Sequence, residues 1–548
     1  MRTGRPGGIA FTVAVFALAC GGDPEPPKLT VVIVVDQMRA DYMDRFADGF
    51  TGGLGWLARS GARFTDAHQD HARTETAAGH ATLVTGVFPS RHGIVGNSFY
   101  NRLAEARQYS VGDSTSPIVG FADDAGMSPA NLLTTTIGDW LKDVRPASKR
   151  YSVAIKNRSA ITMGGKHPDG VYWYHYDTGR WITSTYYRTS YPAWVEAFNE
   201  AGHAAAYFGQ EWTLSRTEDA YAESREDAFP NEADGTNTTF PHLMGQTDGD
   251  PDWRFFADLP NSPFGTELTL AFARELIVNE GVGTDATPDI LFLGLSSADW
   301  VGHEYGPYSR EVQDYYLQLD RYLGEFFSFL DEHVGAGQYV VALSADHGVL
   351  PMPEELTRRG IAAGRYDLRP LRREIRQVAR AAAEAGELPA PPELVFTGGI
   401  ALRFSEATPT SEQLAAFRQR LADLIRSKPE IAQAYTYDEL LDGVGSGKIF
   451  GRHLRSFHPD RSADVFFELT ENYLSGATPR GTSHGSAWDY DTSVPLIFAG
   501  PGVIPGEHGE YTRTVDMAPT LARLLGITPP DALDGRVLTV GLSERLSR

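Results

Sequence analysis

Four short apolar runs, each closing on a polar residue, constrain the fold of this chain more tightly than any other feature. They are Leu29 to Val35 before Asp36, Tyr151 to Ile155 before Lys156, Ile290 to Leu295 ahead of Asp299, and Tyr339 to Leu343 ahead of Asp346. Continuous apolar runs of this length, rich in β-branched residues, suit parallel strands buried on both faces. A fifth run, Val494 to Ala499, ends in Gly-Pro-Gly. Helical patterns lie between the runs, at Ala130 to Lys142, Glu267 to Asn279, Arg310 to Leu330 and Met517 to Leu525. The alternation predicts an α/β fold with a doubly wound, mostly parallel sheet. Ligands of such sheets gather outside the carboxyl ends of the strands, where these polar residues lie.

Two stretches break the alternation and are read as insertions. From about 165 to 263 the chain is rich in Tyr, Trp, Gly and Asn, as in Tyr172-Trp-Tyr-His-Tyr. From about 354 to 461 a helix (Leu371 to Ala385), a strand (Val395 to Phe404) and a second helix (Ser411 to Arg426) predict a small α+β subdomain. The catalytic domain is assigned to 29–548, after a leader over 1–19 and a Pro-rich tether over 20–28. The leader pairs Arg2 and Arg5 with an apolar run from Ile9 to Ala19, too short to span a bilayer and typical of a signal peptide. Leu18-Ala19-Cys20-Gly21 fits lipoprotein processing, with Cys20 as a lipid anchor, and Ala17-Leu18-Ala19 fits ordinary cleavage at the same bond. Export to a bacterial periplasm or outer membrane follows on either reading.

Cys20 is the only cysteine, so no disulfide and no thiolate ligand is available to the mature fold. The balance of 49 Lys+Arg against 71 Asp+Glu, a net charge of -22, disfavours a nucleic-acid-binding surface. An anionic small molecule would need a locally positive site, which metal ions can supply. Asp36, Asp299, His303, Asp346, His347 and His484 are the candidate ligands. Two zinc ions need about six such groups, and Asp plus His is the set zinc accepts without cysteine. Asp299 and His303 share a face if their segment is helical. Each residue alone also fits a duller role, such as a helix cap or a core histidine.

The segment Arg73-Thr-Glu-Thr-Ala-Ala-Gly-His, followed by Pro89-Ser-Arg-His-Gly-Ile-Val-Gly-Asn97, resembles the nucleophile region of the alkaline phosphatase superfamily, in its Thr-nucleophile branch. The likeness extends in order through Asp36, Asp299-x-x-x-His303, Asp346-His347-Gly348 and His484-Gly485. It implies the superfamily's fold, with Thr76 as covalent nucleophile at the start of a helix; Thr74 is the competing choice, and His80 is structural. It also implies one zinc on Asp299, His303 and His484, and a second on Asp36, Asp346, His347 and the Thr76 oxygen, with no third, magnesium site.

Phosphatases of this branch resemble the chain at Lys156-Asn-Arg158 and at Asn97, whereas diesterases of the branch keep the Asn without the Lys-x-Arg pair. A Lys and an Arg suit the dianionic phosphoryl group of a monoester, with three free oxygens. The resemblance therefore implies an exported phosphate monoester hydrolase acting on small-molecule esters through a phosphothreonine. The alternatives are a phosphodiesterase or nucleotide pyrophosphatase with the same two-zinc site, and a non-catalytic surface binding protein on the same fold. A sulfatase is excluded, because Thr76 cannot mature to formylglycine.

Overall fold

The computed structural model describes residues 26–547 except 234, 247, 406 and 531, so the leader and Cys20 lie outside the described residues. One sheet is built from nine strands: β1 (Leu29–Val35), β2 (Gly61–Phe64), β3 (Arg150–Ala154), β4 (Gly170–Tyr174), β5 (Trp181–Ile182), β6 (Asp289–Leu295), β7 (Tyr339–Ser344), β8 (Leu496–Ala499) and β9 (Gly506–His508). Their spatial order is β9-β2-β8-β7-β1-β6-β3-β4-β5. β1 is central and pairs in parallel with β6 and β7; β6 pairs in parallel with β3. The four polar-tipped runs thus point the same way, and their tips share one edge of the sheet.

β1 explains why such a run carries no polar face. Val31, Ile33 and Val35 pack into one cluster with Leu276, Tyr315 and Leu319, from the helices Pro263–Glu280 and Arg310–Leu330. Val32 and Val34 face the opposite way, toward Leu83, Trp140 and Leu521, from the helices Thr76–Thr85, Ile137–Val144 and Met517–Leu525. Fully burying a side chain of this kind contributes roughly 1.5–3 kcal/mol, so helices on both faces favour apolar residues at every position.

The structure corrects several expectations. β8, the fifth run, is antiparallel to both β7 and β2, because double-sided burial dictates apolarity but not direction. The helix expected from Ala130 starts at Ile137, where Thr136 and Asp139 form a capping box. The Tyr172-Trp-Tyr stretch assigned to the first insertion is β4 of the main sheet, paired in parallel with β3 and buried throughout. Trp181–Ile182 adds β5 antiparallel to β4, and the rest, to about 262, is short helices and bridges, part of it packed on the helix Pro263–Glu280.

In the second insertion the helix Leu368–Glu384 and the helix Ser411–Arg426 form as read. The single expected strand is a hairpin, Glu393–Phe396 against Ile400–Arg403, turning through Thr397-Gly398-Gly399. Gly398 has a φ of +64°, a conformation glycine adopts without penalty. The subdomain sheet also takes in Ile431–Thr436 and Val465–Leu469, so the subdomain runs past 461.

Candidate active site

Two compact groups of acidic and imidazole side chains meet at the carboxyl edge of the sheet. Asp36, Asp346 and His347 form one, and Asp299, His303 and His484 the other; within each, the candidate ligand atoms all lie within 4.8 Å of one another. Asp36 follows β1, and Asp346 and His347 follow β7. Asp299 and His303 lie on the helix Ser297–Tyr305, where the i,i+4 spacing brings His303 Nε2 to 3.1 Å from Asp299 Oδ1. The six candidate ligands expected from the sequence are therefore brought together as two triads.

The three histidines are held alike. His303 Nδ1 bonds the Thr482 carbonyl at 2.7 Å, His347 Nδ1 the Gly348 carbonyl at 2.9 Å, and His484 Nδ1 the Thr74 carbonyl at 2.6 Å. A backbone acceptor on Nδ1 fixes the tautomer that presents Nε2 as a ligand. Asp36 Oδ1, Asp346 Oδ2 and His347 Nε2 are buried without a hydrogen-bond partner, the condition expected of atoms meant for a cation.

Lys156, at the tip of β3, lies between the triads. Its Nζ is 2.7 Å from Asp36 Oδ2 and 2.5 Å from Asp299 Oδ2, with only 1% of the side chain exposed. Burial and the neighbouring Asp346 carboxylate push the Asp36 carboxyl well above the usual range. Burial would also raise Asp299, but His303 and Lys156 overcome it and hold that carboxyl well below the usual range. Burial and then the adjacent His347 push the His484 imidazole far below its usual value, toward the neutral form a metal ligand requires.

Thr76 opens the helix Thr76–Thr85. Arg158 Nη2 lies 3.4 Å from its Oγ1. Asn97 Oδ1 accepts the Ala77 amide at 2.9 Å, while the Asn97 amide donates to Glu75 Oε2 at 2.7 Å. Thr74 is otherwise engaged, donating its hydroxyl to the Ser486 carbonyl at 2.8 Å. His80 bonds the Thr76 carbonyl through Nδ1 at 2.9 Å, and that nitrogen lies 3.1 Å from Asp346 Oδ2, so it braces the Thr76 turn against the Asp346 loop.

Gly79 explains the Gly-His pair. A Cβ there would lie 2.1 Å from the Asp346 carbonyl oxygen, so the helix reaches the ligand loop only because that position lacks a side chain. Gly79→Ala is expected to cost about 1–3 kcal/mol of stability, read as a lowered midpoint of denaturant unfolding. An unchanged midpoint would show that the close approach is dispensable.

Sequence reasoning missed Gln37, Trp300 and Tyr176. The Gln37 amide donates to Asp346 Oδ1 at 3.0 Å and its Nε2 to Asp299 Oδ1 at 2.7 Å, tying both triads together from a φ of +66°. Gly302 leaves room for it, since a Cβ there would lie 1.8 Å from Gln37 Oε1. The Lys156 ammonium sits 4.9 Å from the centre of the Trp300 ring, against which Tyr176 of the first insertion packs edge-on. No sequence signal marks Gln37, because its role depends on a left-handed turn directly after a strand-end Asp, which sequence does not display.

The family model for type I phosphodiesterase / nucleotide pyrophosphatase matches residues 30–368. Alkaline phosphatase PhoV of Synechococcus elongatus is 34% identical, over 94% of this chain and 92% of its own length. Alkaline phosphatase PafA of Elizabethkingia meningoseptica is 33% identical, over 94% of each. The crystal structure of wild-type PafA superposes with a TM-score of 0.84 at 31% identity, covering 94% of this chain and 99% of that one. A solved PafA variant with one threonine, one asparagine, one lysine and one arginine replaced gives 0.86 at 30%, with the same coverage. Murine ectonucleotide pyrophosphatase / phosphodiesterase 5, at 14% identity and a TM-score of 0.52 over 94% of this chain and all of its own, shares the fold.

Proposed function

We propose, from the premise that this chain belongs to the type I phosphodiesterase / nucleotide pyrophosphatase family and is a phosphoric ester hydrolase of its alkaline phosphatase-like members, that it hydrolyses phosphate monoesters through a phosphothreonine on Thr76, with two zinc ions. The observation that carries this reading is the convergence of two ligand triads, a hydroxyl at a helix start and the Lys156–Arg158 pair on one sheet edge.

The donor set fits zinc: carboxylates and imidazoles without thiolate, three of their atoms buried without a hydrogen bond. Asp299, His303 and His484 would hold one ion, and Asp36, Asp346 and His347 the other, with the Thr76 oxygen beside it. When bound, the ions supply Lewis acidity, easing ionisation of the Thr76 hydroxyl and offsetting charge on the entering and leaving oxygens.

The chain's own residues do the rest. Thr76 Oγ1 bonds to phosphorus as the bond from phosphorus to the ester oxygen breaks, and the alcohol departs with a proton. Water then cleaves the phosphothreonine, releasing inorganic phosphate and restoring the hydroxyl. The start of the Thr76–Thr85 helix and the Arg158 guanidinium would face the phosphoryl oxygens, the Ala77 amide being taken by Asn97 Oδ1. Two of the three Lys156 donors are used by Asp36 and Asp299, leaving one for substrate. Asn97 gives its carboxamide oxygen to the helix and keeps its Nδ2 as a donor. The residue types replaced together in the PafA variant are those of Thr76, Asn97, Lys156 and Arg158.

One observation favours a second reading, phosphodiester hydrolysis: Lys156 is already engaged by two carboxylates, as a purely structural counter-ion would be. Rates on an aryl phosphate and on its bis-aryl ester separate the two. The monoester is expected to be the faster by orders of magnitude, and Lys156→Ala with Arg158→Ala to cut its hydrolysis by about 10²–10⁴-fold, far more than that of the diester. A wild-type preference for the diester would reverse the assignment.

Export, with cleavage before Cys20 and lipid attachment there, is also proposed, on the leader's composition. The intact mass of the mature protein from a membrane fraction tests it, since a diacylated Cys20 terminus and an unmodified one differ by the lipid. Among the described residues no helix is long and apolar enough to cross a membrane.

A further inference from the structure

Beside the His303–His484 triad a cavity of about 360 Å³ opens between the catalytic domain and the second insertion. One wall is catalytic: Glu75, next to the nucleophile, and His484-Gly485-Ser486. The other is contributed by the subdomain, through Leu371, Arg372 and Phe396, and between the two lie Tyr473, Trp488 and Tyr490. A pocket of this size, mostly ring and aliphatic surface with a few charged groups, has the character of a small-molecule site.

Its charges are unequal in availability. Arg73 is paired with Glu75, and His453 with Glu468 at 2.9 Å. Arg372 has no ion pair among the described residues; its guanidinium stacks 4.3 Å from the centre of the Phe396 ring, and its buried Nε has no hydrogen-bond partner. A stacked guanidinium with unspent donors at the wall of a cavity suits a planar anion such as a carboxylate.

We infer that this cavity receives the alcohol portion of the ester, and that it favours an aryl leaving group carrying a second anionic substituent that reaches Arg372. The inference rests on the monoesterase reading above. That reading assigns the leaving oxygen to the triad containing His484, and His484 lines the cavity. The ring would lie among Phe396, Trp488 and Tyr490, with the phosphoryl group at Thr76.

The test compares 3-carboxyphenyl phosphate with its carboxamide, two esters of similar leaving ability that differ in charge. The wild-type enzyme is expected to favour the carboxylate about tenfold in kcat/KM, mostly through KM. Arg372→Gln is expected to bring that ratio close to one. A second variant, Ser475→Trp, narrows the cavity from its exposed rim. It is expected to reduce the preference for a naphthyl over a methyl phosphate severalfold. Equal wild-type rates on the two charged-pair esters, or ratios untouched by both variants, overturn the pocket assignment alone. No hydrolysis of any monoester by the wild-type enzyme overturns the monoesterase reading, and the pocket with it.

Discussion

Thr76→Ala is expected to lower kcat/KM for an aryl phosphate by roughly four to six orders of magnitude, the scale seen when a covalent nucleophile is removed. The loss should be chemical rather than structural. The Thr76 hydroxyl lies 3.4 Å from Arg158 Nη2, a long contact, and alanine is a good residue for a helix start. The unfolding midpoint should therefore stay close to that of the parent, and Thr76→Ser should restore much of the rate. Thr74→Ala provides the contrast, since it removes a hydrogen bond to the Ser486 carbonyl, worth about 1 kcal/mol, and leaves the reacting atoms in place.

Removing metal is expected to be nearly as severe and to show in stability as well as rate. Without a cation the site holds three buried carboxylates against one buried ammonium, Asp36, Asp299 and Asp346 against Lys156. A chelator should abolish hydrolysis and lower the melting temperature, and added zinc should restore both. At free metal a thousandfold above the dissociation constant, each site contributes about 4 kcal/mol to the folded state. His347→Ala and His484→Ala each remove one ligand from a different triad, so each should lower the bound zinc from two toward one per chain. Elemental analysis of the dialysed proteins measures this directly, and two retained ions in either variant would refute the assignment of that residue.

The clustering of the candidate ligands was legible in part because five of the six stand at strand ends or at helical spacing, while His484 followed only from the resemblance. Asp36, Asp346 and Lys156 each end a run that burial on both faces had already marked as a core strand. Asp299 and His303 needed only the rule that i and i+4 share a helix face. The resemblance preferred Thr76 to Thr74 through its Gly-His sequel, and Gly79 is what lets that helix pack against the Asp346 carbonyl. The direction of β8 was not legible, since apolarity records burial and not polarity of the chain. Gln37 was hidden because its role depends on a left-handed turn, and Tyr176 because its stretch was read as an insertion, whereas it stands two residues past the end of β4. The hairpin at Thr397-Gly398-Gly399 was missed because its two halves are each apolar and together pass for one strand.

The second insertion gains meaning from the same geometry. Its helix Leu368–Glu384 and its hairpin wall a cavity whose other side is the catalytic edge, so on the pocket assignment proposed above substrate choice and chemistry would come from different parts of the chain. Variation in Arg372 or Phe396 would then alter which ester is hydrolysed without touching either triad.

The most direct measurement is mass spectrometry of the zinc-loaded enzyme quenched in acid during turnover of an aryl phosphate. One phosphoryl group on the peptide containing Thr76, lost on incubation without substrate and absent from Thr76→Ala, is the predicted result. Full turnover with Thr76 never phosphorylated, or with the alanine variant as active as the parent, would contradict it.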